Sequence, residues 1–443
     1  MGYRIMIRIK CLFIKYFLKN RVMNNASWLI GGKIVQMVIS FFIGILTARF
    51  LGPSNFGLIS RTAAFLTFFT PVCTLGISSI IINELIANPK RTEEILGSGI
   101  GIRCIASIAS MLFIQILVFF WEKDNYLFFW VTFLQSGMLF FQSFDLIEYW
   151  YQSKLEAKYI SIIALLAYIG TAGYKIVLLA MGKGVSWFAF ANSLDYLLIA
   201  VMYVLVYRFR DRKKLIFKWR QVSALLKKSY EFILSSLMVA VYAEMDKVML
   251  GEMLDDTAVG LYSVGTKICS MWVFVLSAVI NSIRPSVIEA KEQKNQALYH
   301  NRIIQMYSIV LWMSIGVSVV FCLLAEFIIV VLYGAEYVGA KDAFRIVTWY
   351  TGASYLGVAR STWMVCENRQ KYEKVLAGLG AISNIILNLL LIPVFGICGA
   401  AWATLITQIL TNILFPFFFK DLRENSILIM KSVLYPVKVL RKF

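Results

Sequence analysis

One histidine, His300, stands in 443 residues, and it lies in a polar connection. Nucleophilic catalysis built on histidine and His-rich metal sites are thereby nearly excluded. Charge is scarce too: 16% of the chain is Asp, Glu, Lys or Arg, where a soluble domain carries about a quarter. Acids are the scarcer sign, 25 against 44 bases, for a formal net charge of +19. The seven cysteines (Cys11, Cys73, Cys104, Cys269, Cys322, Cys366, Cys398) are scattered and mostly within apolar runs. No pair has metal-ligand or redox spacing, so they read as packing residues and not as a disulfide framework. The alternation of apolar and polar residues that a membrane β-barrel needs is missing as well.

What is present is hydrophobicity. The chain is 60% apolar and 15% aromatic, with a mean hydropathy of +0.73. Apolar runs of about 20 residues recur from end to end, long enough to cross the hydrocarbon core as helices. The fold class is an all-α polytopic membrane protein. The window rule places twelve transmembrane helices at roughly 27–50, 58–82, 98–120, 126–149, 159–181, 185–207, 229–251, 261–288, 307–332, 342–366, 372–394 and 397–419.

Direction follows from an independent count. One set of alternate connections, termini included, holds about 31 Lys and Arg; the other holds only Lys123, Lys183 and Lys341. Basic connections stay on the cytoplasmic side, so both termini are expected there and the positive charge answers to membrane topology; no nucleic-acid partner is implied. Residues 1–26 carry a cation every few residues and no uninterrupted apolar core, which suits a basic interfacial helix and not a signal peptide. The tail, 420–443, is likewise too basic to cross, and Pro436 interrupts it.

The longest and most basic connection, 208–228, follows the sixth span. It divides the chain into an N-terminal lobe (27–207) and a C-terminal lobe (229–419). An echo supports the division: "FLGPSNFGLIS" (50–60) resembles "MLGEMLDDTAVGLYS" (249–263). Two pseudo-symmetric six-helix lobes of this kind enclose a central cavity in transporters.

Charges inside the spans locate the candidate site, since each costs about 2.5–3.5 kcal/mol at the centre of a bilayer helix. Arg49, Arg61, Arg103, Lys267, Arg284, Arg345 and Arg360 lie near helix ends, where snorkelling to the headgroups or structural pairing competes with a binding role. Asp145 and Glu148 share a face and read first as a structural or gating pair. Lys33, Asp195 and the "AEMDKVMLG" stretch with Glu244, Asp246 and Lys247 are the sharper candidates. Local pairing of Lys247 with Glu244 at i,i+3 competes with the reading that this helix faces a hydrated cavity. Cations outnumber acids in the spans, which favours an anionic guest, and Arg suits phosphate oxygens. The cavity candidates are Lys33, Arg49, Arg61, Asp195, Asp246 and Lys247; no catalytic residue and no metal site are expected. Pro71 and Pro285 interrupt the second and eighth spans, and Gly97, Gly99 and Gly101 permit close helix approach at the start of the third.

The segment "ENRQKYEKVLAGLGAISNIILNLLLIPVFGICGAAWATLITQ" (367–408) resembles the late-helix signature of polysaccharide flippases. These belong to the multidrug/oligosaccharidyl-lipid/polysaccharide exporter superfamily. The matching elements are Asn368–Arg369, Asn384 with Asn388, Ile392–Gly396 and Gly399–Thr404, while 48–60 and 246–268 resemble two further family elements. The resemblance, nearest to O-antigen flippases of the Wzx type, implies twelve helices in two lobes and alternating access. It also implies a polyprenyl-pyrophosphate-linked glycan as cargo, moved from the inner to the outer leaflet of a bacterial cytoplasmic membrane. Membrane lipids, a polysaccharide polymerase and a chain-length regulator are the implied partners. No cofactor is expected, and Asp195 and Asp246 are the candidates for coupling to a proton or sodium gradient. A multidrug or cation antiporter of the same superfamily is the alternative, and would need a carboxylate such as Asp195 facing the N-terminal cavity. A membrane glycan polymerase or glycosyltransferase fits less well. The outer connections are about ten residues or shorter, and their one acidic pair, Asp255–Asp256, reads as a turn cap.

Overall fold

The computed structural model describes residues 21–123 and 125–435; most of the basic segment 1–26 and the end of the tail lie outside the described residues. Within them every regular element is helical. Apolar stretches of this length leave the backbone no other way to satisfy its hydrogen bonds in hydrocarbon.

Two compact units form. The first takes the described residues up to Thr47 and Phe69–Ser236, and the second takes Ala48–Phe68 and everything from Leu237. Helix α1 (Arg21–Thr67) runs from one into the other and breaks at Gly52, whose φ of 70° is a left-handed conformation. Pro53 restarts the helix, since its fixed φ suits a first helical turn and its missing N–H leaves no donor unpaired. The first unit continues with α2 (Thr70–Thr74), α3 (Ser78–Ala87), α4 (Thr92–Trp121), α5 (Tyr126–Phe141), α6 (Leu146–Ser153), α7 (Ala157–Ala180) and α8 (Val185–Leu205). Its core gathers Ile77, Ile81, Leu96, Leu146, Trp150 and Tyr207. Helix α9 (Trp219–Met253) leads into the second unit. There follow α10 (Asp256–Glu292), α11 (Gln296–Leu323), α12 (Ala325–Tyr333), α13 (Lys341–Cys366), α14 (Lys371–Phe395), α15 (Ile397–Ile409), α16 (Phe415–Phe418) and α17 (Arg423–Val433). Tyr299, Met306, Tyr307, Trp363, Leu376 and Leu428 build its core.

Among the described residues, nine helices are long and apolar enough to cross a membrane. The expected second, seventh and tenth spans are the ones without a separate counterpart. The second is cut up: α1 ends at Thr67, Pro71 opens the five-residue α2, and Leu75 and Gly76 both have positive φ. The seventh and tenth exist as continuous helices, α9 and α13; Glu231, Glu244, Asp246 and Lys247 interrupt the apolar run in α9, and Thr, Ser, Gly, Tyr and Trp residues dilute it in α13. Pro285, by contrast, sits inside an unbroken α10.

Tertiary contacts move one boundary that chain order alone sets elsewhere: residues 48–68 pack with the second unit. The reason lies in the repeated motif. A Cβ on Gly57 would fall on the carbonyl oxygen of Asp256, and one on Gly260 would fall on that of Pro53. Each glycine thus meets the carbonyl four residues before the other, so the echoed sequences are a matched pair in contact. We expect Gly57→Ala to lower stability by about 1–3 kcal/mol through overpacking. Gly173→Ala, where nothing lies within 4 Å, is the neutral control, and melting midpoints of the purified proteins make the comparison.

Of the three glycines at the start of α4, Gly99 makes the expected helix packing, against Leu146 of α6 and Ile81 of α3, while Gly97 and Gly101 serve a different contact. Gly97 faces the backbone of Ile216, and a Cβ on Gly101 would lie 2.6 Å from the Phe217 ring. Ser98 Oγ accepts from Lys218 N at 2.8 Å and donates to Lys218 O at 3.1 Å, while Ile216 N donates to Glu93 O at 3.0 Å. The basic connection is therefore strapped onto α4. The described part of the tail is docked as well: Asn425 Nδ2 donates to Tyr307 Oη at 2.5 Å, and Trp312 Nε1 donates to Val433 O at 3.3 Å.

Candidate functional site

Asp246 is the most deeply buried carboxylate among the expected site residues, 4% exposed. Helix α9 brings it against α14, α10 and α15. Its Oδ1 accepts from Asn384 Nδ2 at 3.0 Å and Asn388 Nδ2 at 2.7 Å. Its Oδ2 accepts from Tyr262 Oη at 2.7 Å and from the Thr404 hydroxyl. Asn384 and Asn388 lie one turn apart on one face of α14, and Asn388 Nδ2 also donates to Asn384 Oδ1 at 3.1 Å. Four neutral donors thus surround one acid, which resolves why a chain keeps it there: the hydrogen bonds offset the burial. Among the described residues no Lys or Arg pairs with Asp246.

The cage has a second property. Asn388 Oδ1 is buried with no hydrogen-bond partner, which is costly unless something else meets it. Asp246, Asn384, Asn388 and Thr404 together offer hard oxygen donors with a single negative charge, a set suited to a small monovalent cation or a proton. The described residues contain no group of three His, Cys, Asp or Glu that could hold a metal ion. The three polar helices' contributions were already quotable as motif letters, the two asparagines and Thr404 of the late segment and Tyr262 of "VGLYS". Nothing in the linear order ties them to Asp246.

The neighbouring charges are sorted away from it. Lys247, the next residue, pairs with Glu244 at 2.6 Å, so the local i,i+3 pair and the Asp246 cage occupy different faces of α9. Arg61 is buried, 5% exposed, and forms ion pairs with Glu252 and, at 3.3 Å, with Asp256. Gly251 makes room for its stem, since a Cβ there would strike the Arg61 methylenes. Of the acidic pair read as a turn cap, only Asp255 caps, accepting from Ala258 N at 2.7 Å; Asp256 turns to Arg61. Arg49 donates to Leu332 O at 2.8 Å and to Val331 O, the free carbonyls at the end of α12. Arg360 bonds the carbonyls of Thr411 and Asn412 at 3.2 and 3.1 Å, where the backbone loosens into a π turn.

In the first unit, Asp195 accepts from Thr171 Oγ1 at 3.1 Å, and the Lys175 ammonium, one turn further along α7, interacts with the same carboxylate. Lys33 is exposed on α1 and near enough to Glu148 for their charges to interact. Each unit therefore holds one engaged carboxylate among the expected residues: Asp195 with the Lys175 charge in electrostatic range, Asp246 with neutral donors alone.

Residues 46–342 match the family described as polysaccharide biosynthesis protein. A probable flippase, AglR of Haloferax volcanii, is 22% identical over 397 residues, 87% of this chain and 80% of that one. An uncharacterized membrane protein of Methanocaldococcus jannaschii is 25% identical over 262 residues, 56% of this chain; the match spans only 50% of that protein's length. Among solved structures, the lipid II flippase MurJ in an inward closed conformation superposes with a TM-score of 0.70 at 15% identity, covering 92% of both chains. An inward-facing multidrug resistance MATE family transporter of the MOP superfamily superposes with a TM-score of 0.65 at 14% identity, covering 92% of this chain and 96% of that one.

Proposed function

Because the chain belongs to the polysaccharide biosynthesis protein family and has the fold of MOP-superfamily transporters, we propose that it is a flippase for lipid-linked oligosaccharide, a transporter and not an enzyme. Its cargo is a polyprenyl-pyrophosphate-linked repeat unit of the O-antigen kind, moved from the inner to the outer leaflet of the cytoplasmic membrane by alternating access. The inside-negative potential assists, since carrying one negative charge outward gains about 2.3 kcal/mol per 100 mV.

The observation that carries the mechanistic part is the Asp246 cage. A carboxylate with four neutral donors and an orphaned amide oxygen beside it is a site for a coupling cation. Binding there draws Asn384, Asn388 and Thr404 around the ion and biases the packing of α9, α14 and α15. Sodium is the cation that uses every oxygen of the set; a proton needs only Asp246. Lys33, exposed and without an ion pair among the described residues, is the anion contact. Arg49 and Arg61, whose donors already meet carbonyls and carboxylates, position helices. Asp195, hydrogen-bonded to Thr171 and with the Lys175 charge in electrostatic range, is less suited to a cationic drug than the antiporter alternative requires.

The test is reconstitution. Proteoliposomes carrying a short-chain polyprenyl-pyrophosphate oligosaccharide are given a sodium gradient, a pH gradient or neither, and outward-facing glycan is cleaved by an impermeant glycosidase. Faster exposure under one gradient is expected. Transport of a cationic dye with no response to the glycan lipid would overturn the cargo, and equal rates under all three conditions would overturn the coupling.

A further inference from the structure

The connection between the sixth and seventh expected spans carries seven cations from Arg208 to Arg220, and the fold divides them into two groups. Three are paired with acids of the first unit. Arg210 pairs with Glu156 at 3.0 Å and its guanidinium lies 3.7 Å from the Tyr159 ring centre, Lys213 reaches Glu93 at 3.8 Å, and Lys218 pairs with Glu94. The other four, Arg208, Arg212, Lys214 and Arg220, are exposed and have no carboxylate partner among the described residues. Large apolar side chains are interleaved with them: Phe209 is 72% and Trp219 65% exposed.

Its place in the fold is set independently of charge. The segment leaves the end of α8 and enters the start of α9, and it is strapped across the first turns of α4 by the Ser98 hydrogen bonds and by the room that Gly97 and Gly101 leave. Three apolar helices therefore end or begin at this strap, which puts it at the edge of the hydrocarbon. An extended chain at that depth, with aromatic rings and unpaired cations outward, matches a surface of lipid headgroups and upper acyl chains. Bases outnumber acids on its free side by four to none, so the complementary charge is negative.

We propose that the strap Arg208–Arg220 is a docking surface for anionic phospholipid headgroups. The aromatic residues anchor it at the interface, and the four free cations select phosphate diesters that carry net charge. The paired cations and Ser98 hold the strap in register for that contact.

Native mass spectrometry of the full chain, exchanged from detergent into phosphatidylglycerol or phosphatidylethanolamine of identical acyl chains, reads the retained lipid directly. Wild type is expected to retain phosphatidylglycerol preferentially. Each cation removed should weaken that retention roughly fivefold, so R208Q/R212Q/K214Q/R220Q should fall to the phosphatidylethanolamine level with an unchanged melting midpoint. S98A/G101V keeps every charge but displaces the strap, and should also lose the preference; if it fails to fold, S98A alone should show a partial loss. Full retention by the fourfold variant overturns the proposal. So does a wild type that shows no lipid preference but binds an acidic polypeptide such as polyglutamate. The readout is lipid retention and not translocation, so its failure leaves the flippase proposal standing.

Discussion

Asp246→Asn should reduce gradient-driven translocation by about 5–150-fold, the range of coupling free energies of 1–3 kcal/mol, while the protein still folds and inserts. The amide keeps the shape and can still accept from two of the four donors around it. What it removes is the negative charge that a cation needs. The sharper form of the result is a change in dependence: wild type responds to the imposed gradient, and the variant runs at one slow rate under every gradient. Asn388→Ala separates the two ions. It takes away the unpartnered oxygen, so a sodium-coupled protein should need a higher sodium concentration; a proton-coupled one should keep a pH response, with its midpoint moved up because the Asn388 Nδ2 donor to the carboxylate is lost as well. A variant at Asp246 that retained the full gradient response would place the coupling elsewhere.

Arg61→Met should destabilise the second unit by about 3 kcal/mol. Removing one partner of a buried ion pair takes away the charge that balances its acids, here Glu252 and Asp256. Those acids are partly exposed, 33% and 19%, and water screens them, which keeps the loss at the lower end of the range for buried pairs. Arg61→Lys should recover part of the stability, because one ammonium reaches one carboxylate where the guanidinium fork reaches two. Melting midpoints of Arg61→Met, Glu252→Gln and the double variant form a cycle. A double variant as unstable as the sum of the singles would mean that the pair contributes nothing of its own. Because Arg61 leaves from the helix that Gly57 packs against α10, the same variant should also loosen the glycine contact, seen as faster proteolysis within 48–68.

Some of this was readable along the chain. "AEMDKVMLG" marked a place where charge persists against its cost, and the Glu244–Lys247 spacing already contained the local pair. The echoed motifs at 50–60 and 249–263 signalled repeats; that their glycines touch each other depends on two helices meeting at one level, which no spacing encodes. Gly97, Gly99 and Gly101 advertised a close helix approach; helices do pack over Gly99, while an extended strap fills the space over the other two. The second span read as one crossing interrupted only at Pro71; the backbone breaks again at Leu75 and Gly76, where φ is positive and no proline marks the place.

By itself the amino-acid order determined that this chain lives in a bilayer and that it crosses as helices. Hydropathy and charge are sums over neighbouring residues, so they survive in one dimension. Only the tertiary structure decided that Asp246 meets Asn384, Asn388, Tyr262 and Thr404, up to 158 residues away, and that Arg61 reaches across 191 and 195 residues to its acids. A hydrogen bond is made or lost within half an ångström, and that distance is set by the register of packed helices.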